Sequence, residues 1–281
     1  EGAGTLIRTG DGTAASAGIT ATFRAAIHGS GGLVKGDAGT LVFSGDNAYT
    51  GGTTIDAGVL QLGAGGATGS ILGDVVNRGA LAFNRSDDIT FDGAISGTGV
   101  VTHAGSGSTT LTAANSYAGG TRVLAGTLAG SAEAFGSGDL FIDAGATLRN
   151  QQDADASMVN VLSGGGDFIK QGAGALELTG DSGAFAGTAQ VNGGTLRVNG
   201  RLGDAASTVE VSDGATLGGT GVIGGSVTVQ AGRLAAGNSP GTLTIDGDLT
   251  LNAASVLDFE LGEAGVVGGP LNDLIVVGGN L

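Results

Sequence analysis

"GDNAYTGGTTIDAGVLQLG", Gly45 to Gly63, is nearly rewritten as "AANSYAGGTRVLAGTLAG" at Ala113 to Gly130. It returns as "GDSGAFAGTAQVNGGTLRVNG" at Gly180 to Gly200. Tyr49, Tyr117 and Phe185 are evenly spaced at an interval of about 68 residues, and Gly58, Gly126 and Gly194 keep the same interval. A phrase that recurs at a fixed interval marks a repeat architecture and decides the fold before any other feature. Within that interval runs a shorter cadence of polar, small, Gly and then an apolar residue closing on Leu. It closes at Leu60, Leu81, Leu128, Leu148, Leu196, Leu217 and Leu234, at intervals of 21, 47, 20, 48, 21 and 17. The two long intervals are close to two short ones, so the unit is about 20 to 23 residues and three units make one copy.

The segments beside each turn alternate apolar and polar: "TVEVS" with Val209 and Val211, "SVTVQ" with Val227 and Val229, and "TLTIDGDLTLN" with Leu243, Ile245, Leu249 and Leu251. Alternation of period two is the strand pattern. Short strands punctuated by Gly, Asp-Gly and Asn-Gly fit no helix-containing repeat, and the fixed Asn and Leu spacings of a leucine-rich repeat are missing. The fold class expected is therefore all-β, a β-solenoid whose turns each give three short strands. Stacked turns lie ~4.8 Å apart, so 281 residues would make about 12 or 13 turns and a rod of order 60 Å. On that count Tyr49, Tyr117 and Phe185 fall on one face, three turns apart, packing a ring over the shaft rather than forming a sugar-stacking ladder. Leu60, Leu81, Leu128, Leu148, Leu196 and Leu217 should all point inward. The cleaner alternation near the C-terminus, which extends to Leu257 and Phe259, should make those turns the best buried.

Composition agrees. Gly is 60 of 281 residues, but Pro is only 2 and no Gly-X-Y period exists, which excludes collagen. Disorder goes with low hydrophobicity, and here 41% of residues are apolar with a mean hydropathy of +0.27. The net charge of −15 with only 11 Lys and Arg argues against nucleic acid and against an anionic membrane surface. Cysteine is absent, which excludes disulfides and Cys-based metal sites. No run of 18 apolar residues and no basic-then-apolar leader is present, and the chain begins at Glu1 rather than Met, so an excised or processed piece is expected.

"GTLVFSGDNAYTGGTTIDAGVLQLG" (39–63) resembles the autotransporter-associated β-strand repeat of Gram-negative autotransporter passengers. The run "GRLAAGNSPGTLTIDGDLTLNAASVLDFELG" (232–262), followed by "NDLIVVGGNL" (272–281), resembles the end of such passengers, where the shaft approaches the membrane barrel. Residues 29 to 281 carry the resemblance. It implies a right-handed parallel β-helix, with residues 1–231 as shaft and 232–281 as the C-terminal rungs. It also implies export across the outer membrane, contact with the membrane only through a C-terminal β-barrel outside this sequence, and a role at the cell surface in adhesion or self-association. The partner would be a component of a host or neighbouring cell, or a second copy along the shaft. No residue-level binding motif carries over, because the matched positions are scaffold positions.

Several motifs invite a chemical role. "GDSG" at Gly180 to Gly183 copies the loop around a trypsin-like nucleophile, but its counterpart in the first copy holds Asn47, and His28 and His103 sit in no catalytic pattern. "GNSPG" at Gly237 to Gly241 matches a nucleophile elbow, yet no helix pattern and no His follows Ser239. "GGTGVIGG" (218–225) lacks the Lys and helix of a phosphate cradle. All three are expected to be solenoid corners, and His103 a polar strand residue. The polar insertions "NRSDD" and "NQQDADA" are separated by nearly the interval between copies. Asp87 with Asp88, and Asp153 with Asp155, could be acid and base or Ca²⁺ ligands; Asn84 and Asn150 open the two insertions. Solvated loop tips are expected instead, and these are the candidate partner-contact loops. No catalytic residue, cofactor or metal is expected. The function classes are a non-enzymatic adhesive or self-associating passenger, a passive stalk for a head outside this sequence, and a β-helix polysaccharide-degrading enzyme.

Overall fold

The computed structural model describes the backbone of residues 5–8 and the whole of residues 18–212, 214–238 and 240–281. The paired strands are parallel, and the chain winds as a β-solenoid of about 12 turns. Among the described residues there is no α-helix, and a 3-10 turn, Ala132–Phe135, interrupts the strands. Contacts divide the chain into two units, Glu1–Asp139 and Leu140–Leu281.

In the first unit the inward stacks follow the cadence leucines. Leu41 lies beside Leu60, Leu60 beside Leu81, Leu81 beside Val101 and Val101 beside Thr121. The three leucines and the valine are fully buried, and Thr121 is 1% exposed. Burying one such apolar side chain stabilises by roughly 1.5–3 kcal/mol, so a stack of equivalents is the source of cohesion between turns. The second unit repeats the device: Leu176, Leu196, Leu217 and Leu234 are successive neighbours in one sheet, all at 0% exposure. Leu128 and Leu148 are equally buried.

The register also corrects the count of turns per copy. Leu41 and Thr121 are four turns apart, so one turn takes about 20 residues. The interval between copies is therefore close to three and a third turns, not three. Equivalent strands of successive copies consequently occupy successive sheets. In the first copy Leu33–Gly36 lies in one sheet and Thr40–Phe43 in the next; in the second, Val100–His103 joins the sheet of Thr40–Phe43. Tyr49 and Tyr117 thus do not share a face. Nor do the rings pack over the outside: Tyr49 is 2% exposed and Tyr117 and Phe185 are 0% exposed.

The corners are where glycine is required. Gly58, Gly126 and Gly194 have φ of 70°, 57° and 60°, the left-handed region. A Cβ on them would fall on the carbonyl oxygens of Gly39, Gly105 and Gly174, one turn earlier. The expectation of better burial toward the C-terminus fails in the last turn. Leu243 and Ile245 are fully buried, yet Leu257 is 43% and Phe259 40% exposed. Val256–Asp258, which carries Leu257, is the last strand of its sheet, so no further strand covers its inward side chains.

Candidate functional site

Three positions recur in the copies, two of them polar in all three and the third polar in the first two, and period-two patterning alone hides them. The first is a buried basic group. Lys35 and Lys170 are both 0% exposed. The Lys35 ammonium donates to the carbonyls of Gly36, Asp37 and Ala57 at 2.5, 2.7 and 3.0 Å. Lys170 donates to those of Gln171, Gly172 and Gly193, each at 3.0 Å. Three carbonyls saturate the three donors of an ammonium, which is why the charge is tolerated inside. Burial still pushes both lysines below their ordinary pKa. In the middle copy His103 takes this position, stacked between Phe83 and Val123 and 1% exposed. Its Nε2 lies 3.1 Å from the Gly107 carbonyl, while Nδ1 has no partner. Burial lowers its pKa against the opposing pull of the Gly107 and Gly105 carbonyls. His103 is thus an interior group, not an ordinary polar strand residue.

The second position caps the backbone of the preceding turn. The Asn47 Oδ1 accepts from Ile27 N at 3.0 Å, Asn115 Oδ1 from Ile95 N at 2.7 Å, and Ser182 Oγ from Leu162 N at 2.9 Å. Ser182 is the serine of "GDSG"; it is 2% exposed and already holds a backbone amide. It has the role of Asn47 and Asn115, one residue ahead of Gly183, where the 68-residue interval falls. Glycines in "GGTGVIGG" answer the same crowding, since a Cβ at Gly221 or Gly224 would meet the carbonyl of Gly200 or Gly203. Ser239 of "GNSPG" lies outside the described residues.

At the third position Tyr49 and Tyr117 share a hydrogen bond with Thr53 and Thr121, each at 2.6 Å and buried. The third copy replaces both partners together, with Phe185 and Ala189.

The candidate contact loops are partly absorbed into the scaffold. Arg85, 7% exposed, forks onto Asp87 at 2.9 and 2.8 Å, reaches Asp46 at 3.3 Å and donates to the Ala67 and Gly69 carbonyls. It thereby pins the strandless stretch between Leu62 and Val75. The Arg85 hydrogen bond holds the Asp87 carboxyl below its ordinary range. Asp88 accepts Ser108 N at 3.0 Å, and Asp155 accepts Ala175 N at 2.8 Å, each one turn along. Asn84 is half-buried and Asp153 exposed, the latter taking a hydrogen bond from Gln151 at 3.1 Å. Asn150 departs from the loop assignment: it is fully buried within the strand Thr147–Gln151, beside Lys170 in register. Odd positions of that strand face out, and the even-numbered Asn150 faces the core. Asn84, Asp87 and Asp88 belong to the first unit and the other three to the second. No group of three or more metal-ligating side chains is assembled among the described residues.

Comparison with known families explains the recurrence. The passenger-associated-transport-repeat matches at residues 33–62, 101–129 and 168–198, the segments that contain Lys35, His103 and Lys170. The chain is autotransporter passenger sequence. Two curated relatives are similar to it. The adhesin BmaC autotransporter of Brucella suis biovar 1 (strain 1330) is 40% identical over 200 residues, 71% of this chain and 4% of that protein. An extracellular serine protease of Serratia marcescens is 33% identical over 109 residues, 39% of this chain and 10% of that protein. No solved structure matches. The passenger therefore spans a small fraction of either relative. It is a protein exported across the outer membrane, displayed at the surface or secreted.

Proposed function

We propose that this passenger is a non-enzymatic adhesive or self-associating module. The observation that carries the reading is its 40% identity over 200 residues to a protein named as an adhesin. Two structural features support it. Ser182, the serine of the protease-like motif, spends its hydroxyl on a backbone amide, and His103 is enclosed by the core. The likeness to the serine protease covers 39% of this chain, and the shared part is read as shaft. Contact is made through the sides: polar corners and the loops at 84–88 and 151–155, with Asp88 and Asp153 as the carboxylates that face partners. A weak lateral contact repeated along a solenoid gains strength by multivalency. The partner is a surface component of a host or neighbouring cell, or a second copy. Residues 232–281 are read as the rungs nearest the barrel junction, the only route to the membrane.

The test is to display the passenger on a non-aggregating cell and score settling and attachment. The intact chain increases one or both, and Asp88→Asn with Asp153→Asn reduces the gain without changing the circular dichroism spectrum. Display that changes neither settling nor attachment refutes the adhesive reading in favour of the passive stalk. Turnover of a peptide or polysaccharide by the purified chain refutes the non-enzymatic one.

A further inference from the structure

The second unit carries a trough on the outward face of one sheet, a cavity of about 330 Å³ lined in part by Arg197, Gly218, Ala235 and Asp258. Register places these four side by side on successive strands: Arg197 beside Gly218, Gly218 beside Ala235, Ala235 beside Asp258. Three strand spacings make the trough roughly 14 Å long, and its two middle positions carry no side chain larger than a methyl. A parallel row, Thr195, Thr216 and Arg233, forms one wall.

The charges of this trough are settled except for one. Arg233 Nη1 is paired with Asp258 Oδ2 at 2.5 Å. Asp273 spends both carboxylate oxygens on the backbone amides of Gly241 and Glu260, each at 2.8 Å. Glu177, the neighbour of Arg197 on its other side, takes the Asn199 amide at 2.5 Å. Glu260, also on the lining, has a partner, and among the described charged groups of the trough the Arg197 guanidinium alone has no hydrogen bond or ion pair, in a chain of net charge −15 with many carboxylates to offer. A planar fork of donors left unpaired at the head of a trough is complementary to a carboxylate. Beyond it, the Thr195 and Thr216 hydroxyls and the Oδ1 of Asp258 present donors and acceptors suited to hydroxyl groups, over the flat apolar patch of Ala235.

We infer that this trough binds a carboxylate-bearing saccharide unit, a hexuronate or its equivalent, with the carboxylate on Arg197 and the ring over Gly218 and Ala235. The inference deepens the adhesive reading and rests on it, since it names the chemistry that a lateral contact would recognise.

The experiment titrates the full chain with a hexuronate disaccharide, its neutral hexose counterpart and a Glu-rich peptide, following backbone amide shifts by NMR. The hexuronate alone saturates, moving the amides of Thr195, Arg197, Thr216 and Ala235. Arg197→Gln weakens it about tenfold or more, the loss expected for a charge-assisted hydrogen bond. Arg197→Lys, which keeps charge but not the fork, falls between. Ala235→Leu points outward, leaves the fold intact by circular dichroism and blocks binding by filling the trough. Absence of saturable hexuronate binding overturns the proposal, as does equal binding by Arg197→Gln and Ala235→Leu. Equal binding of the neutral sugar or of the peptide overturns the ligand class. Cells that display Arg197→Gln and still attach like those with the intact chain would sink the trough as the adhesive contact while sparing the adhesive reading. Hexuronate binding with no attachment would do the reverse.

Discussion

The pair Tyr117 and Thr121 offers a test in which this chain supplies its own control. Their hydroxyls lie 2.6 Å apart, Tyr117 is fully buried, and Thr121 also donates to the Phe135 carbonyl at 3.2 Å. Tyr117→Phe removes one hydroxyl but leaves Thr121 its carbonyl partner, so the cost is about 1 kcal/mol, that of an ordinary net hydrogen bond. Thr121→Val keeps the shape and strands the Tyr117 hydroxyl in the core, which costs about 1–3 kcal/mol. The double variant has no stranded hydroxyl, like Phe185 and Ala189 in the third copy, so it should be less destabilised than the sum by about 1 kcal/mol. Guanidinium unfolding followed by far-UV circular dichroism measures the four proteins, with equal slopes as the check that one cooperative unit is being compared. Additivity of the two single effects to within about 0.3–0.5 kcal/mol would refute the claim that the two hydroxyls form one buried unit.

Gly126→Ala places a side chain at φ 57° against the Gly105 carbonyl, and should cost about 1–3 kcal/mol. Gly66→Ala, with open space around it, should be near neutral by the same unfolding measurement. The folded state disfavours protonated His103, so its contribution is complete above the unfolded pKa of about 6.5 and is lost as pH falls below it. Stability of the native chain should therefore decline below that pH, and His103→Gln should flatten the decline before the Asp87 carboxyl begins to titrate in the more acidic range. Tyr49, pushed up to about 12 by burial, and Tyr117, pushed up further by the same cause, should resist ionisation in an alkaline absorbance titration. A tyrosinate signal at the ordinary tyrosine pKa, without unfolding, would contradict their burial.

Local pattern determined much of this passenger. The period-two runs around Val209 and Val227, the cadence leucines and the corner glycines each report a constraint that acts within a few residues, so each is legible without neighbours. The repeat alignment carried more than the hydrophobic pattern did for Ser182, whose loop answers to that of Asn47, which is how a nucleophile-like serine becomes a corner fitting; the interior place of His103 came only from the structure. The side of the strand on which a polar residue falls was harder to read. Asn150, Lys35 and Lys170 are hydrophilic by type, and each lysine is held inside by three carbonyls, of which two are local and the third comes from an adjoining turn. Turn length was the other quantity left to the tertiary structure. A coil closes where strand pairing registers, and in the first unit that closure makes the interval between copies overshoot three turns by about a third. That overshoot moves Tyr117 off the face of Tyr49, and no count along the chain reveals it, because register is fixed by hydrogen bonds between residues a full turn apart.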